Sequence, residues 1–458
     1  MTVDFKFDRK AERIIRALQS SGHRAFFVGG CVRDLHMGRT PKDWDIVTSA
    51  SPDEIRSSLD RIADNFVDVG LSFGIVVAVI EGEPFEVATM RRDVGGTDGR
   101  HPDSIEPVRD IDVDLGRRDF NMNAVAFDPV RGIPVDPFCG LLDIWDGVID
   151  FVGDPAERIR EDRLRVLRAI RFVSQLGFEI DPDSLNAIMN DHDLTGVSQE
   201  RVTAELTKIL IGDSAPEALR IMRETGILWD VIPELRDLLQ PHDNPWHNEA
   251  DETGNSIWAH VALVFESACA LTADDGDDRR LRIRLAALMH DVGKPSCRGP
   301  KDGHSNFHEH DRVGARMTRE ILTRMRFPND VRDSVVELVR MHMTHHDIQK
   351  MRRVHKARRL LGRPDIDDIL TMGEADTMGT VHLESTFRED RTMESVRAWR
   401  DRFPVMLPDP IVTGDVLIAA GGKPGPKFKD ALSRTFDQQL NGVTDAGRLT
   451  RFALNELK

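Results

Sequence analysis

The stretch Phe27-Val-Gly-Gly-Cys-Val-Arg-Asp34, followed by Pro41-Lys-Asp-Trp-Asp-Ile46, decides the fold of the chain. The apolar run that ends at Gly29-Gly30 predicts a strand that turns directly into a helix. Glycine has no side chain, so phosphate oxygens can approach the backbone N–H groups at the start of that helix. Arg33, one turn into the helix, is placed to reach the same phosphates. The stretch therefore predicts a phosphate-binding turn.

The two aspartates of the second stretch, Asp43 and Asp45, stand two residues apart on a predicted strand from Asp43 to Val47. Alternate residues of a strand point to the same face, so both carboxylates are expected on one side. Paired carboxylates suit Mg²⁺, and paired metals activate an attacking hydroxyl and stabilise a leaving pyrophosphate. Glu86, on a later predicted strand, is a candidate third carboxylate. The alternative is a solvated strand edge, but the order strand, glycine turn, helix and Asp-x-Asp favours a catalytic site.

The length of 458 residues suggests two to four domains. The composition, 40% hydrophobic and 31% charged, is typical of a globular protein. Apolar runs such as Ile75 to Ile80 are far shorter than the ~20 residues of a membrane helix. The N-terminus lacks the features of a signal peptide, and the four cysteines form no CxxC pair. We therefore expect a cytoplasmic protein with no membrane partner.

Strand and helix signals are distributed unequally along the chain. The first 150 residues contain the predicted strands, and after them apolar residues recur at helical spacing. We predict an α+β protein in which a small head precedes a long all-α body. The predicted strands are Arg24 to Val28, Asp43 to Val47, Gly74 to Ile80 and Phe85 to Met90.

The segment from Pro155 to Arg171 is predicted to form one amphipathic helix. On it, Asp162 and Arg165 are three residues apart and so share a side. Such a pair offers an acceptor beside several donors, which matches the pairing edges of cytosine and adenine. Guanine and uracil would leave polar groups unpaired, at a cost in binding energy. The alternative is a helix that merely contains many ion pairs.

A second cluster begins at His290-Asp291, which follows an apolar helix predicted from Leu281 to Met289. Adjacent His and Asp side chains can bind one metal ion if another helix supplies a further imidazole. His260 is the candidate for that imidazole, and Asp376 would complete a set of four ligands. An isolated His-Asp dipeptide would carry little weight.

The segment from Gly29 to Ile46 resembles the GGxVRD…DxD signature of the class II tRNA nucleotidyltransferase and bacterial poly(A) polymerase family. Arg117 to Ala124 resembles the RRDFTxNA motif of that family and departs from it at Asn121, where Thr is usual. The resemblance continues through Glu161 to Arg165 and Ser198 to Arg201. It implies a polymerase-β-like head in which Asp43 and Asp45 hold two Mg²⁺ ions. Together, the residues and the resemblance give Asp43, Asp45 and Glu86 as candidate catalytic residues. The candidate nucleotide-binding residues are Gly29, Gly30, Arg33, Arg118, Asp119, Asn123, Asp162, Arg165 and Arg168.

The second cluster resembles the H…HD…D pattern of HD-superfamily phosphohydrolases. The resemblance implies that a divalent metal of unknown identity is bound, and that two further histidines complete a two-metal site. Whether the site hydrolyses a substrate is left open, because such a domain can persist as RNA-binding structure. The implied metal ligands are His260, His290, Asp291, His310, His342 and Asp376.

The resemblance predicts an HD-containing enzyme that adds CMP, CMP and AMP to a tRNA 3′ end, with CTP and ATP as substrates. The alternatives are a poly(A) polymerase, an enzyme that adds only CC or only A, and an HD phosphohydrolase with an RNA-binding head. The predicted domains are a nucleotidyltransferase head (1–150), a helical neck (151–240), an HD domain (241–385) and a helical tail that is a candidate tRNA contact (386–458).

The formal net charge of −16 by itself argues against a nucleic-acid partner. Two segments run against it, since Arg158 to Arg171 and Arg352 to Arg363 are rich in basic residues. We therefore expect a basic track on an otherwise acidic surface and salt-sensitive tRNA binding. Solvated basic helices are the alternative for the second segment.

Overall fold

The computed structural model describes residues 5–67, 74–95, 104–240, 250–251, 254–301, 304–380 and 391–458. The chain divides into two compact units, Met1–Pro233 and Glu234–Lys458. Both predicted boundaries of the HD domain, at 241 and 385, lie outside the described residues. No helix in the described ranges is both long and apolar enough to cross a membrane.

In the first unit, helices precede, separate and follow the strands along the chain. Its helices are α1 (Arg9–Ser20), α2 (Gly30–His36), α3 (Pro52–Leu59), α4 (Ile111–Gly116), α5 (Gly140–Asp146), α6 (Pro155–Glu161), α7 (Arg165–Leu176), α8 (Pro182–Asn190), α9 (Gln199–Ile211), α10 (Ala215–Thr225) and α11 (Ile227–Val231). Its strands are β1 (Ala25–Val28), β2 (Ile46–Thr48), β3 (Asn65–Val67), β4 (Ile75–Ile80), β5 (Glu83–Thr89), β6 (Arg91–Val94), β7 (Ser104–Pro107), β8 (Ala126–Asp128), β9 (Ile133–Val135), β10 (Val148–Ile149) and β11 (Glu179–Ile180).

The main sheet has the strand order β3-β4-β5-β2-β1-β8-β9 among the described residues. Central strand β1 pairs antiparallel with β2, with Phe27 opposite Ile46, and β2 pairs parallel with β5. All four residues of β1 are buried, as expected of a strand covered on both faces. The sheet thus places the glycine turn after β1 next to the approach to β2.

The aspartates Asp43 and Asp45 do not lie on a strand, contrary to the prediction, because β2 begins at Ile46. The backbone still runs beside β1, since the amide of Val28 donates to the carbonyl oxygen of Asp45 at 3.1 Å. The carboxylates therefore project from a loop that the sheet holds at one end.

Helix α1 covers part of the sheet, and the sequence explains both its start and its orientation. Asp8 caps it by accepting hydrogen bonds from the amides of Lys10 and Ala11. Ile14, Ile15 and Leu18 follow at helical spacing and are fully buried. Burial of each such side chain stabilises the unit by roughly 1.5–3 kcal/mol.

The neck segment forms two helices rather than the single helix predicted from Pro155 to Arg171. Helix α6 ends at Glu161, and Asp162 has an extended backbone, with φ −146° and ψ 103°. Its carboxylate accepts a hydrogen bond from the amide of Leu164 at 3.1 Å, just before α7 starts. Asp favours such local bonds at helix starts, and this preference outweighs the apolar periodicity that suggested one helix.

The second unit is helical apart from two short hairpins in the described ranges. Its helices are α12 (Ile257–Leu271), α13 (Asp277–Met289), α14 (His310–Arg324), α15 (Asn329–Met341), α16 (Thr344–Ile348), α17 (Val354–Leu361), α18 (Ile366–Gly379), α19 (Thr392–Arg402), α20 (Gly414–Ala419), α21 (Phe428–Leu440) and α22 (Ala446–Glu456). Its strands are β12 (Ala250–Asp251), β13 (Gly254–Asn255), β14 (Gly299–Lys301) and β15 (His304–Asn306). Together with the sheet-containing head, this confirms the predicted α+β class.

Helices α12 and α18 pack closely because a glycine lies at their contact. A Cβ atom at Gly379 would lie 2.7 Å from the backbone nitrogen of Val264. Each helix carries a candidate metal ligand, His260 on α12 and Asp376 on α18. The glycine therefore sets the spacing on which that site depends.

We expect Gly379→Ala to lower the free energy of unfolding by about 1–3 kcal/mol, because the added methyl group forces the backbones of α12 and α18 apart. Chemical denaturation followed by circular dichroism measures this change. Gly425→Ala is the matched control, since a Cβ there meets open space, and its effect should stay within about 0.5 kcal/mol. Equal stabilities of the two variants would contradict the packing argument.

Candidate active site

The glycine turn brings the start of α2 against an arginine from a distant part of the chain. Gly29 has φ +74°, a conformation that residues with side chains rarely adopt. A Cβ atom there would also lie 3.0 Å from Nη1 of Arg118. The glycine is thus required by backbone geometry and by the close approach of the guanidinium. The predicted phosphate-binding residues Gly29 and Arg118 are neighbours in space.

The three candidate catalytic carboxylates, Asp43, Asp45 and Glu86, line one cavity. Partial burial raises the pKa of Asp45, and the charges of Glu86 and Asp43 raise it further against the opposing charge of Arg118. Converging carboxylates repel one another unless a cation lies between them. An all-oxygen donor set of this kind fits Mg²⁺.

Four of the predicted nucleotide-binding residues form one hydrogen-bonded chain. Arg33 Nη1 donates to Asn123 Oδ1 at 2.9 Å, and Asn123 Nδ2 donates to Asp119 Oδ1 at 3.2 Å. Arg168 Nε, from α7, donates to Asp119 Oδ2 at 2.9 Å. The chain links α2 of the head to α7 of the neck through the loop that carries Asp119.

Asp119 stays ionised although it is buried, with only 9% of its surface exposed. Burial alone would raise its pKa, but the charge and hydrogen bonds of Arg168 and the amide of Asn123 outweigh burial and lower the pKa to about 2. An ionised carboxylate with charge-assisted bonds holds its partners in one geometry. Asp119 therefore positions Arg168 directly and Arg33 through Asn123.

Asp114 is a structural residue of this site that the motif analysis missed. It is fully buried, and its carboxylate accepts hydrogen bonds from Arg117 at 2.7 Å and Arg118 at 3.3 Å. It also accepts a bond from the amide of Arg91 at 3.1 Å. The Asp-to-Arg spacings of three and four residues are the sequence signal that could have revealed it.

Asn121, where the sequence departs from the family motif, anchors the loop to a neighbouring strand. Its side-chain amide donates to Asp150 Oδ2 at 3.0 Å, and its backbone amide donates to the carbonyl oxygen of Asp150 at 2.9 Å. The side chain is buried. The Asn at this position thus has a structural role, outside the Arg33–Asp119 chain.

The proposed base-reading residues, Asp162 and Arg165, are not arranged as the sequence predicted. With α6 and α7 separate, they share no helix face. Asp162 Oδ2 accepts from Arg201 Nη2 at 2.9 Å. Arg165 Nη1 donates to Glu161 Oε2 at 2.7 Å, and its Nη2 donates to the carbonyl oxygen of Arg117 at 3.2 Å. Each side chain is therefore held by its own partner, and Arg201 and Glu161 join the site as residues that sequence reasoning gave no such role.

A separate cluster in the second unit brings together all six predicted HD ligands. His260 Nε2 lies 3.3 Å from His290 Nε2 and 3.1 Å from Asp376 Oδ1. His310 Nε2 lies 3.1 Å from His342 Nε2 and 3.6 Å from Asp291 Oδ1. Two triads in the described residues have ligand atoms within 4.8 Å of one another, and Asp291 belongs to both.

Three of the histidines are oriented by contacts to the backbone carbonyl oxygens of residues three positions earlier in the chain. The Nδ1 atoms of His290, His310 and His342 contact the carbonyl oxygens of Ala287, Phe307 and Val339 at 2.7, 2.8 and 2.6 Å. Burial lowers the pKa of His342 to about 3. The Nε2 lone pairs of such neutral imidazoles then point at one another, which is unfavourable without a cation between them. The donor set fits a nitrogen-preferring divalent metal.

Two neighbours of the HD cluster were not singled out from the sequence. Lys294 Nζ lies 2.5 Å from Asp291 Oδ2. His345 is buried and contacts the carbonyl oxygen of His342 at 2.8 Å and the hydroxyl of Thr377 at 3.0 Å. Lys294 thus contacts the carboxylate of one candidate ligand, and His345 contacts the backbone of another.

Most of the arginines in the two basic segments form hydrogen bonds or ion pairs within the protein. In the neck, Arg163 pairs with Asp191 at 3.1 Å and Arg171 with Glu205 at 3.2 Å. In α17, Arg358 donates to the carbonyl oxygens of Val405, Met406 and Leu440. Arg359 and Arg363 bind the carboxylates of Asp437 and Asp365. These arginines hold the protein together, so their number overstates the charge open to RNA.

Family models match three parts of the chain. A poly(A) polymerase head domain matches residues 25–150, a probable RNA- and SrmB-binding site of polymerase A matches residues 177–239, and an HD domain matches residues 257–378. The chain belongs to the HD-containing class II tRNA nucleotidyltransferase and bacterial poly(A) polymerase family. This confirms the resemblance identified from the motifs.

Among curated relatives, the chain is similar to two CCA-adding enzymes. It is 46% identical over 228 residues to that of Geobacillus kaustophilus (50% of this chain, 55% of the relative). It is 41% identical over 270 residues to that of Bacillus velezensis (58% of this chain, 66% of the relative). The chain thus spans little more than half to just under two thirds of these relatives.

Solved structures match over nearly the whole length of the chain. The Bacillus stearothermophilus CCA-adding enzyme in complex with CTP has a TM-score of 0.68 and 28% identity, covering 98% of this chain and 96% of that chain. The Thermotoga maritima CCA-adding enzyme complexed with tRNA has a TM-score of 0.60 and 18% identity, covering 99% and 97%. The second match shows that the fold is shared.

We expect Asp119→Asn to lower the free energy of unfolding at pH 7 by roughly 2–3 kcal/mol, because Arg168 loses its partner. The folded-state pKa of Asp119 is depressed, so its contribution is complete above the unfolded pKa of about 3.9 and is lost as pH falls toward about 2. The difference from wild type should therefore shrink between pH 5 and pH 3.

Denaturant unfolding at several pH values measures this trend. Asp60→Asn is the control, since Asp60 is exposed and in the described residues has no ion-pair partner. A destabilisation by Asp119→Asn that is the same at pH 7 and pH 3 would contradict the assignment.

Proposed function

We propose that the protein is a CCA-adding tRNA nucleotidyltransferase that transfers CMP, CMP and AMP from CTP and ATP to a tRNA 3′ end. The observation that carries the proposal is the convergence of Asp43, Asp45 and Glu86 beside Gly29 and Arg118. Carboxylates for metal ions and a cation for the triphosphate then lie within one site. The named similarity to CCA-adding enzymes supports the choice of reaction.

In the reaction, the 3′-oxygen of the tRNA forms a bond to the α-phosphorus as the bond to the bridging oxygen of the β-phosphate breaks. The hydroxyl proton passes to solvent, and pyrophosphate leaves. Asp43 and Asp45, with Glu86 beside them, would hold Mg²⁺ ions, which when bound activate the hydroxyl and neutralise the leaving group. Arg118 and Arg33 would bind the triphosphate, and Asp119 would keep Arg168 and Asn123 in place around it.

Base selection by Asp162 and Arg165 is part of the same proposal. Asp162 supplies an acceptor and Arg165 supplies donors, which suits cytosine and adenine. Because each side chain is held by Arg201 or Glu161, the nucleotide has to exchange these ion pairs for its own hydrogen bonds. A base that cannot replace them leaves buried polar groups unpaired.

The proposal places the enzyme in the cytoplasm with tRNA, CTP and ATP as its partners. The four cysteines are all free, which suits a reducing compartment. The tail after residue 386 is retained as a candidate tRNA contact.

Incubation of the protein with tRNA lacking its 3′-terminal CCA and with labelled CTP or ATP tests the proposal. With both nucleotides we expect exactly three additions, and with CTP alone two. Incorporation of ATP alone into long tails would instead indicate a poly(A) polymerase. An end after CC or the addition of a single A would indicate a partial enzyme.

The control for catalysis is a matched pair of carboxylate variants. Asp43→Asn removes a metal-binding charge and should lower the rate of incorporation at least about a thousandfold. Asp60→Asn makes the same chemical change on the exposed surface of the head and should leave the rate within about twofold. Equal rates for the two variants would exclude Asp43 from the site.

A second activity, metal-dependent phosphohydrolysis, is favoured by the six converging HD ligands. His260, His290, Asp291 and Asp376 would hold one divalent ion, and Asp291, His310 and His342 a second. The shared carboxylate of Asp291 predicts that its loss affects both ions.

We expect Asp291→Asn to lose most of the metal bound by wild type, measured by mass spectrometry of the purified protein. Asp311→Asn, one residue beyond His310 and without an ion-pair partner in the described residues, should retain it. Hydrolysis of bis(p-nitrophenyl) phosphate should fall with the metal content. Metal-free wild-type protein under all metal supplements would overturn the assignment, whatever the outcome of the nucleotide-addition assay.

A further inference from the structure

The cavity that the catalytic carboxylates line has a second, different wall. Its volume is about 870 Å³, which is within the range of sites for nucleotide-sized ligands. Besides the carboxylates, two lysines and three aromatic side chains line the cavity. The residues that supply them are Lys6, Phe7, Lys42, Trp44 and Phe85.

The aromatic part of this wall is held in place by packing beneath it. Phe7 stacks on the buried ring of Phe27, with centroids 5.6 Å apart and an interplanar angle of 26°. Trp44 packs on the same ring at 4.8 Å. Phe5 anchors the preceding backbone against Phe127 at 5.3 Å. The rings are therefore ordered before any ligand binds, which lowers the entropy cost of stacking on them.

The basic part of the wall is open to a ligand. Lys6 and Lys42 are exposed, and neither has an ion-pair partner in the described part of the chain. By contrast, the nearby Lys10 is bound to Glu83 at 3.1 Å. Two ammonium groups without carboxylate partners attract phosphate to a cavity that is otherwise acidic.

The wall lies away from the arginines proposed to hold the triphosphate. Arg33 and Arg118 do not line the cavity, whereas Asp45 does. Asp45 Oδ2 also lies 3.8 Å from the Cβ position of Gly29, beside Arg118. Asp45 thus separates the two regions. In phosphoryl transfer the attacking and leaving oxygens lie roughly in line, so the cavity is on the side of the nucleophile.

We propose that this cavity binds the 3′-terminal nucleotide of the acceptor RNA. Its base stacks on the wall formed by Phe7 and Trp44, and its phosphate binds Lys6 and Lys42. The 3′-hydroxyl then faces Asp43 and Asp45. The inference rests on the proposed nucleotidyltransferase reaction. It assigns the acceptor to four side chains, Lys6, Phe7, Lys42 and Trp44, to which the resemblance gave no role.

Steady-state kinetics with tRNA lacking CCA tests the aromatic wall. Phe7→Leu keeps the bulk of the side chain but removes the flat ring, so KM for the tRNA should rise at least about tenfold. KM for CTP should stay within about twofold. Phe66→Leu, the same change on strand β3 and outside the cavity, should alter neither. An unchanged KM for tRNA in a folded Phe7→Leu variant would overturn the proposal.

The salt dependence of acceptor binding tests the basic wall. Each phosphate contact to a single strand contributes about 0.7 to the slope of log affinity against log salt. Because both lysines bind the same phosphate, Lys6→Gln with Lys42→Gln should reduce the slope by about 0.7. Arg9→Gln removes an equally exposed charge just outside the cavity and should leave the slope unchanged. An unchanged slope in the double variant would contradict a role for these lysines.

A photo-crosslink in the wild-type protein keeps the test independent of variant folding. A tRNA with 4-thiouridine as its 3′-terminal residue should crosslink within residues 5–8 or 40–45, as mapped by mass spectrometry. Crosslinks confined to other segments would overturn the proposal. If wild type incorporates CTP but these tests fail, the acceptor site is wrong while the proposed reaction stands. If wild type incorporates no nucleotide, the proposed reaction itself fails.

Discussion

The candidate active site depends on the hydrogen bonds of one buried carboxylate, that of Asp119. It joins the RRDF loop to Arg168 on α7 and, through Asn123, to Arg33 on α2. A buried charge is stable only when its hydrogen-bonding partners are complete. Displacement of any one of these groups would therefore leave the others unsatisfied. This coupling holds the phosphate-binding turn of the head and the first long helix of the neck in one arrangement.

The same requirement explains why net charge is a poor guide to the surface. Arg163 and Arg171 in the neck, and Arg358 in α17, bind acceptors within the protein. A planar guanidinium with several donors suits such internal work. Near the active site, the lysines Lys6 and Lys42 are exposed and have no ion-pair partner in the described residues, and no basic run in the sequence marks them. A predicted basic track cannot be counted from arginine-rich segments, because their charges are largely compensated.

The HD cluster shows a second form of preorganisation. Three of its histidines are oriented by backbone carbonyl oxygens three residues earlier. Its ligands come from several helices and the turns that follow them, with Asp291 just after α13 and Asp376 on α18. Close packing at Gly379 sets the distance between two of those helices. Lys294 pairs with the carboxylate of Asp291, and His345 contacts the backbone carbonyl oxygen of His342. Metal binding and helix packing are therefore coupled, so a packing variant is expected to weaken both.

The sequence by itself determined the family, the α+β class and the residue types of both centres, because these follow from short motifs and local periodicity. Local patterns could not show that Asp162 interrupts the neck helix, since its carboxylate accepts from the amide of Leu164 just before α7 and from Arg201, 39 positions along the chain. Nor could they reveal Asp114 as an anchor or Phe7 as a wall of the catalytic cavity. These features depend on contacts between residues far apart in sequence, and only tertiary packing decides which side chains share a buried partner.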